Sequence, residues 1–154
     1  MGVGAGSMSN LLLSQGKKVG GIDVVDSSLY EHITPVLYDG ENIPFKDKSH
    51  DIATLICVLH HCGDQLRVLE EAMRVSKRVI IIEDTFRNSF ERALVSAREC
   101  IGNWEFYDHP YRTTQDWTSV FNERGWKVTY VKEWSSIEFY GMYGRQTLFV
   151  IDPK

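Results

Sequence analysis

Gly2, Gly4 and Gly6 alternate through the opening turn of the chain, an apolar run follows at residues 8–13, and Asp23 closes the next β-prone stretch. Glycine has no Cβ, so a ligand can lie directly on such a backbone, and the turn is free to take φ > 0. A helix beginning straight after the turn presents free N–H groups to a polar or anionic ligand group. A carboxylate at the end of the second strand, nineteen residues beyond Gly4, can accept hydrogen bonds from both hydroxyls of a ribose. Together these residues make an edge suited to a nucleoside.

A second group of chemically capable residues lies downstream. His60 and His61 stand just past a β-prone apolar run, where open α/β sheets place their ligands, and an imidazole there can take a proton from an attacking oxygen, nitrogen or carbon. Histidines at such a place also serve simply to pack and hydrogen-bond. Three adjacent residues cannot all point at one ion, so His60, His61 and Cys62 are not read as a metal site and none is expected. Glu83 and Asp84 close the next strand and could position a polar substrate group. Aromatic residues between Trp104 and Tyr111, with His109 among them, and Tyr140 and Tyr143 near the end could roof a pocket, since aromatic walls favour apolar ligands and attract cations. Ordinary packing accounts equally for any one of them.

The elements that must position these groups alternate. Residues 8–15 predict a short helix closed by Gly16, and residues 17–23 a buried strand. Asp26 or Ser27 can cap a short helix through His32, and residues 36–39 form a brief strand. The continuous apolar runs at 52–58 and 78–83 have the character of central parallel strands. Between them a helix presents Leu66, Leu69, Ala72 and Met73, and after them a longer helix presents Phe90, Ala93, Leu94, Ala97 and Ile101 as its apolar face. Thr113 and Asp116 begin a last helix, with Trp117, Val120 and Phe121 inward and Gly125 as its stop. Residues 126–134 and 145–151 are β-rich with no helix between them, which predicts an antiparallel pair at one sheet edge. The whole implies an α/β fold: a mostly parallel, Rossmann-like sheet covered on both faces, a three-layer sandwich, ending in an antiparallel hairpin.

The 154 residues, 43% of them hydrophobic, suffice for one domain with a real core, taken as residues 1–154. A net charge of −4 and a pI near 5.7, without a basic run, argue against nucleic-acid and anionic-membrane partners. Three cysteines without scaffold spacing suit reduced thiols in a cytoplasmic protein.

The spacing G-x-G-x-G, with Ser7 where a dinucleotide site wants glycine or alanine, resembles class I S-adenosylmethionine (SAM)-dependent methyltransferases, in particular the small-molecule branch called methyltransferase type 11. The reversed terminal hairpin is similar to that family's too. The resemblance implies SAM as cofactor, with Gly2, Gly4 and Gly6 facing its methionine and ribose and Asp23 holding the ribose hydroxyls. It further implies that Asp39, followed by Gly40, accepts from the adenine amino group, although an aspartate before glycine commonly just stabilises its own bend. The implied reaction is in-line displacement at the sulfonium methyl toward a small-molecule acceptor, with His60 and His61 as candidate catalytic residues and Glu83, His109, Tyr111 and Tyr143 as candidate substrate contacts. A NAD(P)-dependent oxidoreductase and a non-catalytic domain that binds SAM or a partner are the alternatives. Family members carry an apolar central strand before the first glycine, where this sequence has only Met1. The expectation is therefore a family domain truncated at its amino terminus, its sheet lacking that strand, with the slot left by the truncation, filled by another segment or by a second copy in a homodimer, or closed by its flanking strands.

Overall fold

A computed structural model describes residues 1–153 apart from Glu105, Phe106, Asp108 and residues 138–142. Helix α1 (Ser7–Ser14) leads to β1 (Ile22–Asp23), β2 (Val36–Leu37) and β3 (Ala53–Ile56). A 3-10 turn (Leu59–His61), α2 (Gln65–Val75) and β4 (Val79–Asp84) follow, then α3 (Ser89–Asn103), α4 (Thr114–Glu123), β5 (Lys127–Ile137) and β6 (Tyr143–Asp152). Among the described residues the strands form a two-stranded parallel sheet, β1-β2, and a four-stranded sheet in the order β3-β4-β6-β5. Within the larger sheet β3 and β4 are parallel, and β6 runs antiparallel to both β4 and β5. Three of its strands therefore point one way and only β6 opposes them, which is the α/β arrangement with a reversed hairpin that the strand pattern implies.

The core lies under one face of that sheet. Strand alternation sends Ala53, Leu55, Val79, Ile81, Phe149 and Ile151 to the same side, where they meet Val68, Leu69, Ala72 and Met73 of α2 and Trp117 and Phe121 of α4. Helix α4 starts where it should: Thr113 and Asp116 form a complete capping box, which satisfies two of the otherwise orphaned amides of its first turn. Asp64 caps α2 by accepting from the Arg67 amide at 2.9 Å.

Four expectations are corrected. The strand expected over 17–23 is confined to Ile22–Asp23. No helix forms at 26–32, because the Ser28 hydroxyl exchanges hydrogen bonds with the Tyr30 backbone at 3.2 Å and turns the chain instead. Leu66 is only half-buried, and Val68 and Val75 complete the inner face of α2. Helix α3 is rotated relative to its apolar stripe: Phe90 and Ile101 are exposed, whereas Glu91, Val95, Arg98 and Glu99 are buried. Charge explains the rotation. Glu91 is bonded by Arg87 and Arg145, and Arg98 by Asp84 and Glu99, so inward polar partners outweigh the apolar face.

The expected gap in the sheet is present, because no strand pairing joins β1 to β3 among the described residues. Residues 1–2 lie between them: the Met1 amine donates to the Thr54 carbonyl at 2.8 Å and the Gly2 amide to the Ile22 carbonyl at 3.0 Å. The flanking strands are bridged by these two bonds and have not closed up.

Candidate functional site

The glycine turn folds back over the end of β1 and holds itself there. Gly2, Gly4 and Gly6 all have positive φ, at 66°, 50° and 84°, a region side chains disfavour. A Cβ at Gly2 would meet Val58 Cγ2 at 2.4 Å and one at Gly6 would meet Ser28 Oγ at 2.9 Å, whereas one at Gly4 would project into open space. The turn is thus packed on two sides and bare on the third. Asp23 locks it, accepting from the Gly4 amide through Oδ2 at 2.9 Å and from the Val24 amide through Oδ1 at 2.7 Å.

The bare side opens on a cavity of about 620 Å³ lined by the glycine turn, Asp23, residues 38–41, residues 56–58 and residues 61–64. That volume falls within the ordinary range for small-molecule sites. The sequence-predicted cofactor residues Gly2, Gly4, Gly6, Asp23, Asp39 and Gly40 are all brought together in its wall. Asp39 also serves its own bend: it accepts from the Glu41 and Asn42 amides and the Asn42 side chain at 2.7–2.8 Å. The Asn42 side-chain and backbone bonds, with the Glu41 amide, hold its carboxyl down at about 2. Tyr38, which sequence reasoning passed over, lines the same wall; burial, with Cys62, Asp23 and Asp39 nearby, pushes its phenol up to about 12.

A histidine cluster adjoins this cavity. Glu83, at the end of β4, does not face outward; its Oε1 accepts the Val58 and Leu59 amides at 2.8 and 2.7 Å, and its Oε2 meets His60 Nδ1 at 2.6 Å. One carboxylate therefore both caps the 3-10 turn and orients the imidazole. Burial disfavours a charged His60, but the hydrogen bond and charge of Glu83, reinforced by Asp84 and Glu99, outweigh it and raise its pKa. His61 packs against His60 at a tilt, with centroids 4.1 Å apart, and lines the cavity. His109 and Tyr111 complete the cluster at 5.7 and 5.3 Å from the His60 ring. Gln65 brings them in, donating to the carbonyls of Leu59 and Pro110 at 3.1 and 2.8 Å and so tying residues 109–112 to the 3-10 turn. Tyr143 lies elsewhere, its hydroxyl 3.3 Å from Glu91 at the start of β6, and Tyr140 falls outside the described residues. Glu99 reaches the cluster from the inward side of α3; reading Phe90 and Ile101 as the buried face of α3 concealed it.

Fold and cavity define a nucleotide-cofactor α/β enzyme of the reversed-hairpin kind, and comparison with known proteins narrows this. The family model described as "Methyltransferase domain" matches residues 1–80. An uncharacterized methyltransferase of Geobacillus sp. (strain WCH70) is 27% identical over 150 residues, covering 86% of this chain and 70% of that protein. A SAM-dependent methyltransferase of Methanosarcina mazei superposes with a TM-score of 0.72 at 16% identity, covering 97% of this chain and 88% of the other. One from Aquifex aeolicus gives 0.63 at 18% identity, covering 97% and 79%. The chain belongs to the methyltransferase-domain family and is a SAM-dependent methyltransferase.

The residues present fit the cofactor. The Gly4 side of the turn leaves room for backbone approach, the Asp23 carboxylate retains a lone pair beyond its three amide bonds, and the acidic groups Asp23, Asp39, Glu41 and Asp64 in the wall suit a ligand carrying a sulfonium and an ammonium.

Proposed function

We propose that the chain, acting as one unit over residues 1–154, methylates a small-molecule acceptor whose nucleophilic atom is presented at the histidine cluster. The observation that carries this reading is that His61 belongs both to the cavity wall and to the cluster around His60. Gly2, Gly4, Gly6, Asp23, Asp39 and Gly40 hold the cofactor, which when bound supplies a methyl group already activated by its sulfonium. What is left to the protein is alignment and exclusion of water. His60 is oriented by Glu83 through Nδ1, which leaves Nε2 to address the acceptor's polar group, and His61 joins that ring to the cavity wall. His109 and Tyr111 wall the acceptor side. A small acceptor agrees with the net charge of −4, which gives no field for nucleic acid. Among the described residues no helix is long and apolar enough to cross a membrane.

The test is calorimetric titration with S-adenosylhomocysteine, with Asp23→Ala as control, followed by a methyl-transfer screen over hydroxyl, thiol and amine acceptors. Micromolar binding that weakens about 10- to 100-fold in the variant, the range for a lost hydrogen bond to a charged group, together with turnover of one acceptor class, is expected. Binding equal in Asp23→Ala and the parent protein would overturn the cofactor assignment, and binding without turnover across the screen would overturn the acceptor assignment.

A further inference from the structure

Among the described residues of the histidine cluster, His60 and Tyr111 each keep a buried polar atom without a hydrogen-bond partner, and of the two only the His60 nitrogen is a metal-ligating donor. His60 is 2% exposed, its Nδ1 is engaged by Glu83 at 2.6 Å, and its Nε2 is buried with no hydrogen-bond partner among the described residues. A buried polar atom of this kind is costly unless something occupies it. A donor atom from each of His60, His61 and Glu99 lies within 4.8 Å of the other two. These come from two separate elements, the 3-10 turn and α3, so the convergence is a property of the fold and not of neighbouring sequence.

We propose that His60, through Nε2, together with His61 and Glu99, binds a divalent transition-metal ion of zinc type. Two imidazoles and one carboxylate make a three-ligand set with a coordination position to spare, which is the pattern of catalytic and not of structural zinc. At metal–ligand bonds of about 2.0–2.2 Å, tetrahedral ligands stand roughly 3.4 Å apart, so the donors close up by about an ångström on loading. Glu83 supplies the outer hydrogen bond that fixes the tautomer of a ligating histidine and raises its basicity. Glu99 is in turn held by Arg98 at 3.0 Å. Charge favours the ion as well, since among the described residues Glu83, Asp84 and Glu99 are buried here with the guanidinium of Arg98, which pairs with Asp84 and Glu99. His61 places the ion at the margin of the cavity.

In the proposed reading, on which the ion's role depends although its binding does not, the spare position takes the acceptor's hydroxyl or thiol. Coordination weakens the O–H or S–H bond, the proton leaves to solvent water, and the electron pair stays on the metal-bound oxygen or sulfur, which is thereby a nucleophile near neutral pH. His60 then serves the acceptor through the ion and not by accepting its proton.

The test uses the whole chain, stripped with a chelator and titrated with Co²⁺ in the absence of cofactor and acceptor. One equivalent should produce the intense visible bands of low-coordinate cobalt, and Zn²⁺ should abolish them. Glu99→Gln and His60→Ala should eliminate the bands, and Glu83→Gln should weaken Co²⁺ binding about 10- to 100-fold, the usual consequence of losing an outer-sphere partner. Circular dichroism of each variant separates lost binding from lost folding. In parallel, Zn²⁺ should raise the melting temperature of the parent protein in a concentration-dependent way, a readout that needs no variant to fold. Absence of stoichiometric cobalt bands, or bands unchanged in folded Glu99→Gln, overturns the site. S-adenosylhomocysteine titration of the metal-free protein distinguishes the two failures: cofactor binding without cobalt bands sinks the metal site alone, and cobalt bands without cofactor binding sink the cavity reading alone.

Discussion

The two ends of this molecule are built by different rules. Before β3, the strands β1 and β2 are two residues long, β2 is exposed, and α1 buries none of its residues. From β3 onward, ladders of up to 11 residues enclose a core with Leu55, Leu69, Ile81, Phe121, Phe149 and Ile151 fully buried. The first part carries the glycine turn, Asp23 and Asp39 of the cavity wall, and the second carries the scaffold, the rest of that wall and the histidine cluster. Regions with few buried contacts are the ones that open first and respond most to a ligand. The glycine-turn region is therefore a surface ordered chiefly by backbone bonds, whereas the scaffold is ordered by its own packing.

The contrast can be broken most sharply from the scaffold side. Phe121→Ala removes a ring stacked on Trp117 and edge-on to Phe149 at centroid distances of 5.8 and 5.2 Å and should cost about 3–5 kcal/mol in urea or thermal unfolding. A loss under 1 kcal/mol would mean that the core does not carry the fold. Gly2→Ala should cost less, about 1–3 kcal/mol for forcing a side chain to φ 66°, and its effect should fall on S-adenosylhomocysteine affinity as well as on the melting temperature. Hydrogen exchange sharpens the comparison further: adding S-adenosylhomocysteine should slow exchange at residues 2–8 and 23–42 and leave β4 and β6 unchanged, and uniform protection of both regions would contradict the division.

The smallest expected effect is acid opening of the bend at Asp39. Because its folded carboxyl sits at about 2, below the ordinary 3.8, its contribution is complete above about pH 4 and disappears as the pH falls toward 2. Amide chemical shifts of Glu41 and Asn42 should titrate over that interval and be flat in Asp39→Asn.

How legible each part was in the sequence follows the same division. Period-two runs and a capping box are local signals, so β3, β4, the terminal hairpin and α4 are readable from residues such as Val79, Ile81, Thr113 and Asp116. That Gly2, Gly4, Gly6 and Asp23 share one cavity wall is readable because glycine spacing and Asp23 report a backbone requirement. The failures come where distant parts of the chain decide. The segment 17–21 reads as strand, but among the described residues no strand pairs with it, and residues 1–2 contribute two bridging bonds. Likewise α3 carries a good apolar stripe, and nothing within its own sequence tells that Arg145, from a strand some fifty residues on, selects Glu91 for the inside. Glu99 became visible as part of the histidine cluster only after that rotation was known.

That rotation has a thermal consequence. Helix α4 adheres through Trp117 and Phe121, so its detachment exposes apolar surface and carries a large positive heat-capacity change, and its hold weakens on cooling. Helix α3 adheres through Glu91, Arg98 and Glu99, whose exposure lowers the heat capacity and whose desolvation penalty shrinks as temperature rises. The two helices flanking residues 109–112 thus differ in how their polar and apolar contacts answer temperature, while Glu83 and Gln65 hold the histidine cluster itself.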